Sequence, residues 1–119
     1  MIKVKRVYEP ATPDDGERYL VERLWPRGIK KERLKLQAWL KDVAPGTELR
    51  QWFAHDPIKW VEFQRRYTKE LMSDAAALQS LIDATRRGTV TLLYSAHDTG
   101  HNSAIVLKAF LEQKLKTKK

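Results

Sequence analysis

Residues 89–96 read Thr-Val-Thr-Leu-Leu-Tyr-Ser-Ala, an almost continuous apolar run. Runs of this kind are typical of a strand that is covered on both faces of a sheet. Ser73 and Gly88 bracket a predicted helix before the run, and residues 103–113 form a predicted helix after it. Helix, strand, loop and helix in this order predict a βα unit of a layered α/β sheet.

Two further strands are predicted nearer the N terminus. Residues 2–8 begin with alternating apolar and charged side chains, which indicates a strand with one face towards solvent. Residues 18–24 carry apolar side chains on both faces, so we expect this strand inside the sheet, beside residues 89–96. The predicted fold class is α/β, with a short, largely parallel or mixed sheet flanked by helices in a Rossmann-like arrangement. It forms a single domain over residues 1–119.

The middle of the chain is predicted to be helical. Residues 30–43 fit a short helix imperfectly, and residues 47–53 fit one or two helical turns. Asp56 is a candidate N-cap, with Pro57 at the first position of a longer helix. The apolar side chains of that helix recur on one face, which predicts core rather than a cofactor site. They are Trp60, Phe63, Tyr67 and Leu71.

Composition narrows the possible functions. The chain contains no cysteine, which excludes disulfides, thiolate metal sites and a cysteine nucleophile. No stretch approaches the roughly 20 apolar residues of a membrane span, and the first residues lack a signal-peptide pattern, so we expect a cytoplasmic protein without membrane contact. The net charge of +8 is concentrated in residues 23–35 and 108–119. Residues 114–119 are expected to form a basic, frayed tail.

The loop after the apolar run, His-Asp-Thr-Gly-His-Asn over residues 97–102, is the first candidate site. In open α/β sheets, ligands bind at the carboxyl ends of strands, beside helix N-termini. His101, with Asp98 or Tyr94, is the candidate acid and base, and Asn102 is a candidate anion contact. Helix capping and loop closure are the alternative explanation for these residues. The cluster lacks a fourth metal ligand, so we predict no metal. The chain also lacks the glycine-rich signatures of nucleotide-binding loops, so we predict no cofactor.

The second candidate site follows the predicted strand 18–24. Glu22 and Arg23 interrupt its apolar pattern, so each must be paired or line an opening. Trp-Pro-Arg-Gly over residues 25–28 then predicts a tight loop. Arg23 and Arg27 could bind an anion through bidentate guanidinium contacts. Because parallel neighbouring strands end at the same edge, we expect this loop to meet residues 97–102.

Four blocks of the sequence resemble the YeaO-like family, known as domain of unknown function 488. They are Val-Glu-Arg-Leu-Trp-Pro-Arg-Gly at 21–28, Trp-Leu-Lys-Asp-Val-Ala-Pro at 39–45, Leu-Arg-Gln-Trp-Phe-Ala-His-Asp-Pro at 49–57, and Leu-Leu-Tyr-Ser-Ala-His-Asp at 92–98 followed by His101-Asn102. The resemblance covers almost the whole chain and implies a fold class, not an activity. An aspartate is usual in the family where this chain has Glu22. A lysine or arginine is usual at His97, which favours anion binding there over a metal.

Three functions remain open from the sequence. The first is a small enzyme or binding protein whose pocket recognises an anionic small molecule, such as a phosphorylated one; whether it is an enzyme is left open. The second is a nucleic-acid-binding module, with residues 27–35 and the lysine tail contacting phosphates and Trp25 or Trp39 stacking on bases. The third is an interaction subunit without catalysis.

Overall fold

The computed structural model describes residues 1–117 and contains a four-stranded sheet. The strands are β1 (Ile2–Arg6), β2 (Glu17–Leu20), β3 (Ala38–Trp39) and β4 (Val90–Tyr94). Their order is β1-β4-β2-β3, and every neighbouring pair is parallel. All five residues of β4 are buried, as its continuous apolar pattern predicts. The predicted α/β class with a short parallel sheet is confirmed.

The two strands that the sequence places inside the sheet are direct neighbours. β2 pairs with β4 in parallel, from Glu17 opposite Val90 to Leu20 opposite Leu93. Val21 extends the pairing, because its N–H donates to the carbonyl of Leu93 over 3.3 Å. The segments that follow β2 and β4 therefore leave the sheet at the same edge.

Four α-helices follow the predicted positions closely. They are α1 (Thr47–Phe53), α2 (Trp60–Met72), α3 (Ala75–Arg87) and α4 (Ser103–Thr117). A 3-10 turn at Pro57–Lys59 precedes α2, and the Asp56 side chain caps it by accepting from the Ile58 N–H over 3.0 Å. Ser73 does not cap α3. Its hydroxyl donates to the carbonyl of Glu70 and so ends α2.

The basic end of the chain is partly helical. α4 runs through Thr117, so residues 114–117 of the expected frayed tail continue the helix. Lys118 and Lys119 lie outside the described residues.

The helices supply the main core on one face of the sheet. Tyr19, Leu92 and Tyr94 on that face belong to one cluster with the buried side chains of α1 to α4. In α2, Phe63 and Tyr67 are almost fully buried, so the apolar stripe of this helix is core, as predicted.

The other face of the sheet is covered without helices. Leu20 and Leu93 on this face pack with Leu34, and Trp25 and Trp39 lie against the same cluster. The predicted helix over residues 30–43 is wrong: the segment forms turns, β3 and a 3-10 turn at Lys41–Val43.

The reason for the missing helix is backbone pairing with β2. Gln37 N–H donates to the carbonyl of Arg18 over 2.7 Å, and Leu40 N–H donates to the carbonyl of Leu20 over 2.8 Å. These bonds use an extended backbone that a helix would not offer. Since the helices of residues 1–117 pack on one face only, the Rossmann-like arrangement is not confirmed.

A buried carboxylate anchors this second face at the amino-terminal half of the strands. The Asp15 side chain is fully buried and accepts hydrogen bonds from Lys5, Arg18 and the hydroxyl of Thr12. Lys3 lies 3.3 Å from the same carboxylate. One buried negative charge thus holds cations of β1 and β2 together.

The helices of residues 1–117 include none with the length and apolar character that a membrane crossing needs.

Candidate functional site

A cavity of about 400 Å³ opens where β2 and β4 end. One wall is the segment after β2, from Glu22 to Arg27. The facing wall contains Ser95 and Ala96 after β4, and Asn102 and Ser103 at the start of α4. The two loops therefore meet at one edge of the sheet, as the parallel pairing of their strands predicts.

Glu22 and Ser95 join the two walls. The Ser95 hydroxyl donates to Glu22 Oε1 over 2.6 Å. Burial raises the pKa of Glu22, while the bond from Ser95 and the charges of Arg50 and His55 oppose that rise. Glu22 is thus both hydrogen-bonded to Ser95 and part of the cavity wall. The sequence suggested these two roles as alternatives, because Glu22 interrupts an apolar pattern.

Arg23 ties the cavity wall to the segment that precedes α1. Its Nε donates to the carbonyl of Pro45 over 3.0 Å, and its Nη2 lies 3.4 Å from the carbonyl of Ala44. Arg23 lines the cavity, but part of its guanidinium is already bound to these backbone oxygens. Its anion-binding role stays a prediction.

Arg27 and Arg50 also line the cavity, and their guanidinium groups differ from that of Arg23 in their contacts. Within residues 1–117, neither guanidinium makes a hydrogen bond or a salt bridge. Arg27 is exposed at the rim, where its carbonyl accepts from the Tyr8 hydroxyl over 3.1 Å. Arg50 is half-buried on α1. Two cations with free donors therefore share one cavity.

The turn after α1 brings His55 to the cavity in an uncommon backbone conformation. Ala54 and His55 have φ angles of 47° and 56°, both in the left-handed region. Such residues each cost about 1 to 3 kcal/mol and tend to occur at functional sites. The turn is held by the Asp56 N–H, which donates to the carbonyl of Phe53 over 2.9 Å.

His101 and Asp98 form a pair, but they do not line the cavity. His101 Nδ1 lies 2.9 Å from Asp98 Oδ2, and the backbone N–H groups of Gly100 and His101 donate to Asp98 Oδ1. These hydrogen bonds lower the pKa of Asp98, and the bond from the Gly100 N–H has the largest effect. The His101 ring lies edge-on against Trp60, with 5.1 Å between centroids. The geometry gives this pair a clear role in closing the loop.

The remaining predicted site residues are divided between the cavity and its surroundings. Asn102 lines the cavity and caps α4, since its Oδ1 accepts from the Ile105 N–H over 3.1 Å. Tyr94 is buried at the end of β4, and burial raises its pKa. His97 is exposed, and neither it nor Tyr94 lines the cavity. Of the predicted site residues, Arg23, Arg27 and Asn102 line the cavity, and the four others do not.

Comparison with known proteins places the chain in a family. The family model described as the inactive DUF488-N3 subclade matches residues 1–119. The chain belongs to the DUF488 family.

Two similar proteins illustrate how far the similarity extends. The chain is 44% identical over 110 residues to the uncharacterized protein YeaO of Escherichia coli K12, which covers 92% of this chain and 96% of that protein. It is also 44% identical over 110 residues to an uncharacterized protein of Mycobacterium tuberculosis H37Rv, and this alignment covers 92% of each chain. No solved structure was found to match the chain significantly. The family match over residues 1–119 and the identity to YeaO confirm the resemblance that the sequence blocks indicated.

The cavity of this DUF488 chain contains residues that sequence reasoning missed. Arg50 was not considered, although it lies in the family block 49–57 together with His55. No sequence signal linked Arg50 to strand ends, because α1 is brought to the sheet edge only by tertiary packing. Within the described part of the chain, no three His, Asp or Glu side chains are grouped closely enough to hold a metal ion.

Proposed function

We propose that this DUF488 chain is a binding protein that holds an anionic small molecule, carrying a phosphate or carboxylate group, in the cavity between the two loops. The observation that carries the proposal is that the guanidinium groups of Arg27 and Arg50 line one cavity and make no hydrogen bond or salt bridge to the described residues. Guanidinium groups bind phosphates and carboxylates with two parallel hydrogen bonds.

The charge of the cavity favours the same ligand class. Three arginines line it against one carboxylate, that of Glu22. Burial raises the pKa of that carboxylate, so its negative charge is disfavoured even before an anion arrives. The N-terminal turn of α4 at Ser103 adds a partial positive charge at the opposite wall.

Binding without turnover is the form of the proposal that agrees with the family. Its matching model is described as an inactive subclade. The placement of the His101 and Asp98 pair outside the cavity supports the same reading, since a general acid or base must reach the reacting group.

Calorimetric titration with inorganic phosphate and pyrophosphate at low ionic strength tests the proposal. Arg50→Gln and Arg27→Gln each remove a charge-assisted contact worth about 1.5 to 3 kcal/mol, so we expect binding to weaken by about tenfold or more. Arg86→Gln is the matched control, because Arg86 is an exposed arginine on α3 that does not line the cavity. Equal weakening by Arg86→Gln, or no binding of any anion, would contradict the proposal.

A further inference from the structure

A strip of exposed cations continues from the cavity across the surface of the protein. Residues 27–35 contain five basic side chains, all exposed, and none makes a hydrogen bond or ion pair to the described residues. They are Arg27, Lys30, Lys31, Arg33 and Lys35. Glu32 is the one acidic residue of this basic strip. Charges that are unpaired within the protein are available to an anionic partner.

The backbone of the basic strip is held by side-chain hydrogen bonds at both ends. At the cavity end, Trp25 lines the cavity and its indole Nε1 donates to the carbonyl of Ile29 over 2.6 Å. In the middle, Leu34 is buried against the sheet. At the far end, the carbonyl of Lys35 accepts from Arg18 Nε over 2.9 Å. The strip therefore runs from the cavity mouth across the second face of the sheet to β2.

An exposed aromatic ring lies where the basic strip meets the cavity. The Tyr8 hydroxyl donates to the carbonyl of Arg27, and the side chain of Tyr8 is 48% exposed. The guanidinium of Arg6 lies 4.8 Å from the centre of that ring. Exposed cations with an accessible aromatic ring beside them are typical of surfaces that bind single-stranded nucleic acid.

We infer that the basic strip and the cavity form one site for single-stranded nucleic acid with a phosphorylated end, whose terminal phosphate enters the cavity and whose internal phosphates lie along the strip. The inference rests on the proposed function, since the cavity must accept the terminal phosphate. A terminal phosphate monoester carries up to two negative charges where an internal phosphodiester carries one. The two free arginines of the cavity therefore favour a strand end over its interior.

The strip makes the binding strongly dependent on salt. Four cations beyond Arg27 lie on the strip, and each phosphate contact contributes about −0.7 to the slope of log K against log salt for a single strand. Four contacts give a slope of about −3, so raising the salt from about 50 to about 200 mM weakens binding by roughly 50-fold.

Fluorescence anisotropy with internally labelled ten-nucleotide oligo(dT) tests the inference. The strands carry a phosphate at the 5′ end, at the 3′ end, or hydroxyls at both ends. We expect one phosphorylated strand to bind about tenfold tighter than the hydroxyl strand. Arg50→Gln should remove this preference, so that the phosphorylated strands bind no tighter than the hydroxyl strand.

The double variant Lys30→Gln with Lys31→Gln should weaken binding of all three strands and reduce the salt slope by about one to two. Its charge-matched control is Lys69→Gln with Arg86→Gln, two exposed cations on α2 and α3 that lie outside the strip. Equal effects of the two double variants would overturn the inference.

Three further outcomes would overturn it, and the first of them separates it from the proposed function. Binding of pyrophosphate that depends on Arg50, without any preference for a phosphorylated strand end, refutes the nucleic-acid site and leaves the anion cavity intact. Strand binding through the strip alone, with no anion bound in the cavity, refutes both. Vesicles containing phosphatidylserine that bind through Lys30 and Lys31, while oligo(dT) does not bind, would assign the strip to a membrane surface.

Discussion

Replacing Asp15 with asparagine should destabilise the protein by about 3 to 5 kcal/mol, the usual cost of removing one partner from a buried ion pair. The carboxylate is fully buried and is the common partner of Lys5 and Arg18, with Lys3 at 3.3 Å. Asparagine retains the size of the side chain and a hydrogen-bond acceptor. It leaves these cations close together with no charge between them.

This cost is a large share of the 5 to 15 kcal/mol that stabilises a domain of this size. The midpoint of thermal unfolding should therefore fall by about 10 to 20 °C. Asp14→Asn is the matched control, because Asp14 also pairs with Lys3 but its side chain is 79% exposed. Exposed pairs contribute little, so this variant should unfold close to the native midpoint.

The pH dependence gives the prediction a second readout. Burial raises the pKa of Asp15, but the hydrogen bonds from Thr12, Lys5 and Arg18 together hold it well below its usual value of 3.8. The stabilisation is therefore complete above about pH 4 and is lost as the pH falls towards the folded-state pKa. Calorimetry from pH 7 to pH 2 should show the gap between native protein and Asp15→Asn narrowing in acid. An Asp15→Asn variant as stable as Asp14→Asn at pH 7 would refute the reasoning.

Two further predictions concern the loops of the sheet. Glu22→Gln should be more stable than the native protein at pH 7 and should lose that advantage towards pH 4. The pKa of Glu22 is raised, so the stability of the native protein falls as the pH rises from the usual 4.5 through the folded-state pKa. A stability difference between the two proteins that stays constant in urea unfolding across this pH range would contradict the prediction. Gly16→Ala should destabilise several times more than Gly28→Ala in the same assay. Both glycines have positive φ, of 65° and 81°. A Cβ at Gly16 would lie 2.1 Å from the Thr89 carbonyl oxygen, whereas a Cβ at Gly28 meets nothing within 4 Å. Equal losses of stability in the two variants would show that the backbone conformation, and not the steric clash, sets the energetic cost.

The candidate site was partly predictable, because strand ends are visible in the chain while a cavity is not. Glu22 and Arg23 were identified because they interrupt an apolar pattern, and the loop after β4 because it follows a buried strand. Arg23, Arg27 and Asn102 do line one cavity. His101 and Asp98 were expected beside them, yet the His101 ring packs against Trp60 and the Asp98 carboxylate bonds the loop backbone instead. Side-chain direction in an irregular loop has no periodicity from which it could be read.

The sequence by itself determined the elements whose periodicity is local. The continuous run that forms β4, the helical spacing of Phe63 and Tyr67 in α2, and the cap at Asp56 each follow from residues within one or two turns of each other. These features need no knowledge of distant contacts.

Only the tertiary structure decided the form of residues 30–43 and the contents of the cavity. Leu34 has a weak helical pattern around it, but burial against the sheet and backbone bonds to β2 outweigh a propensity difference of less than about 1 kcal/mol per residue. Arg50 and His55 reach the cavity because α1 packs at the edge where β2 and β4 end. Such contacts join residues tens of positions apart, so their energy appears only when the whole chain is folded.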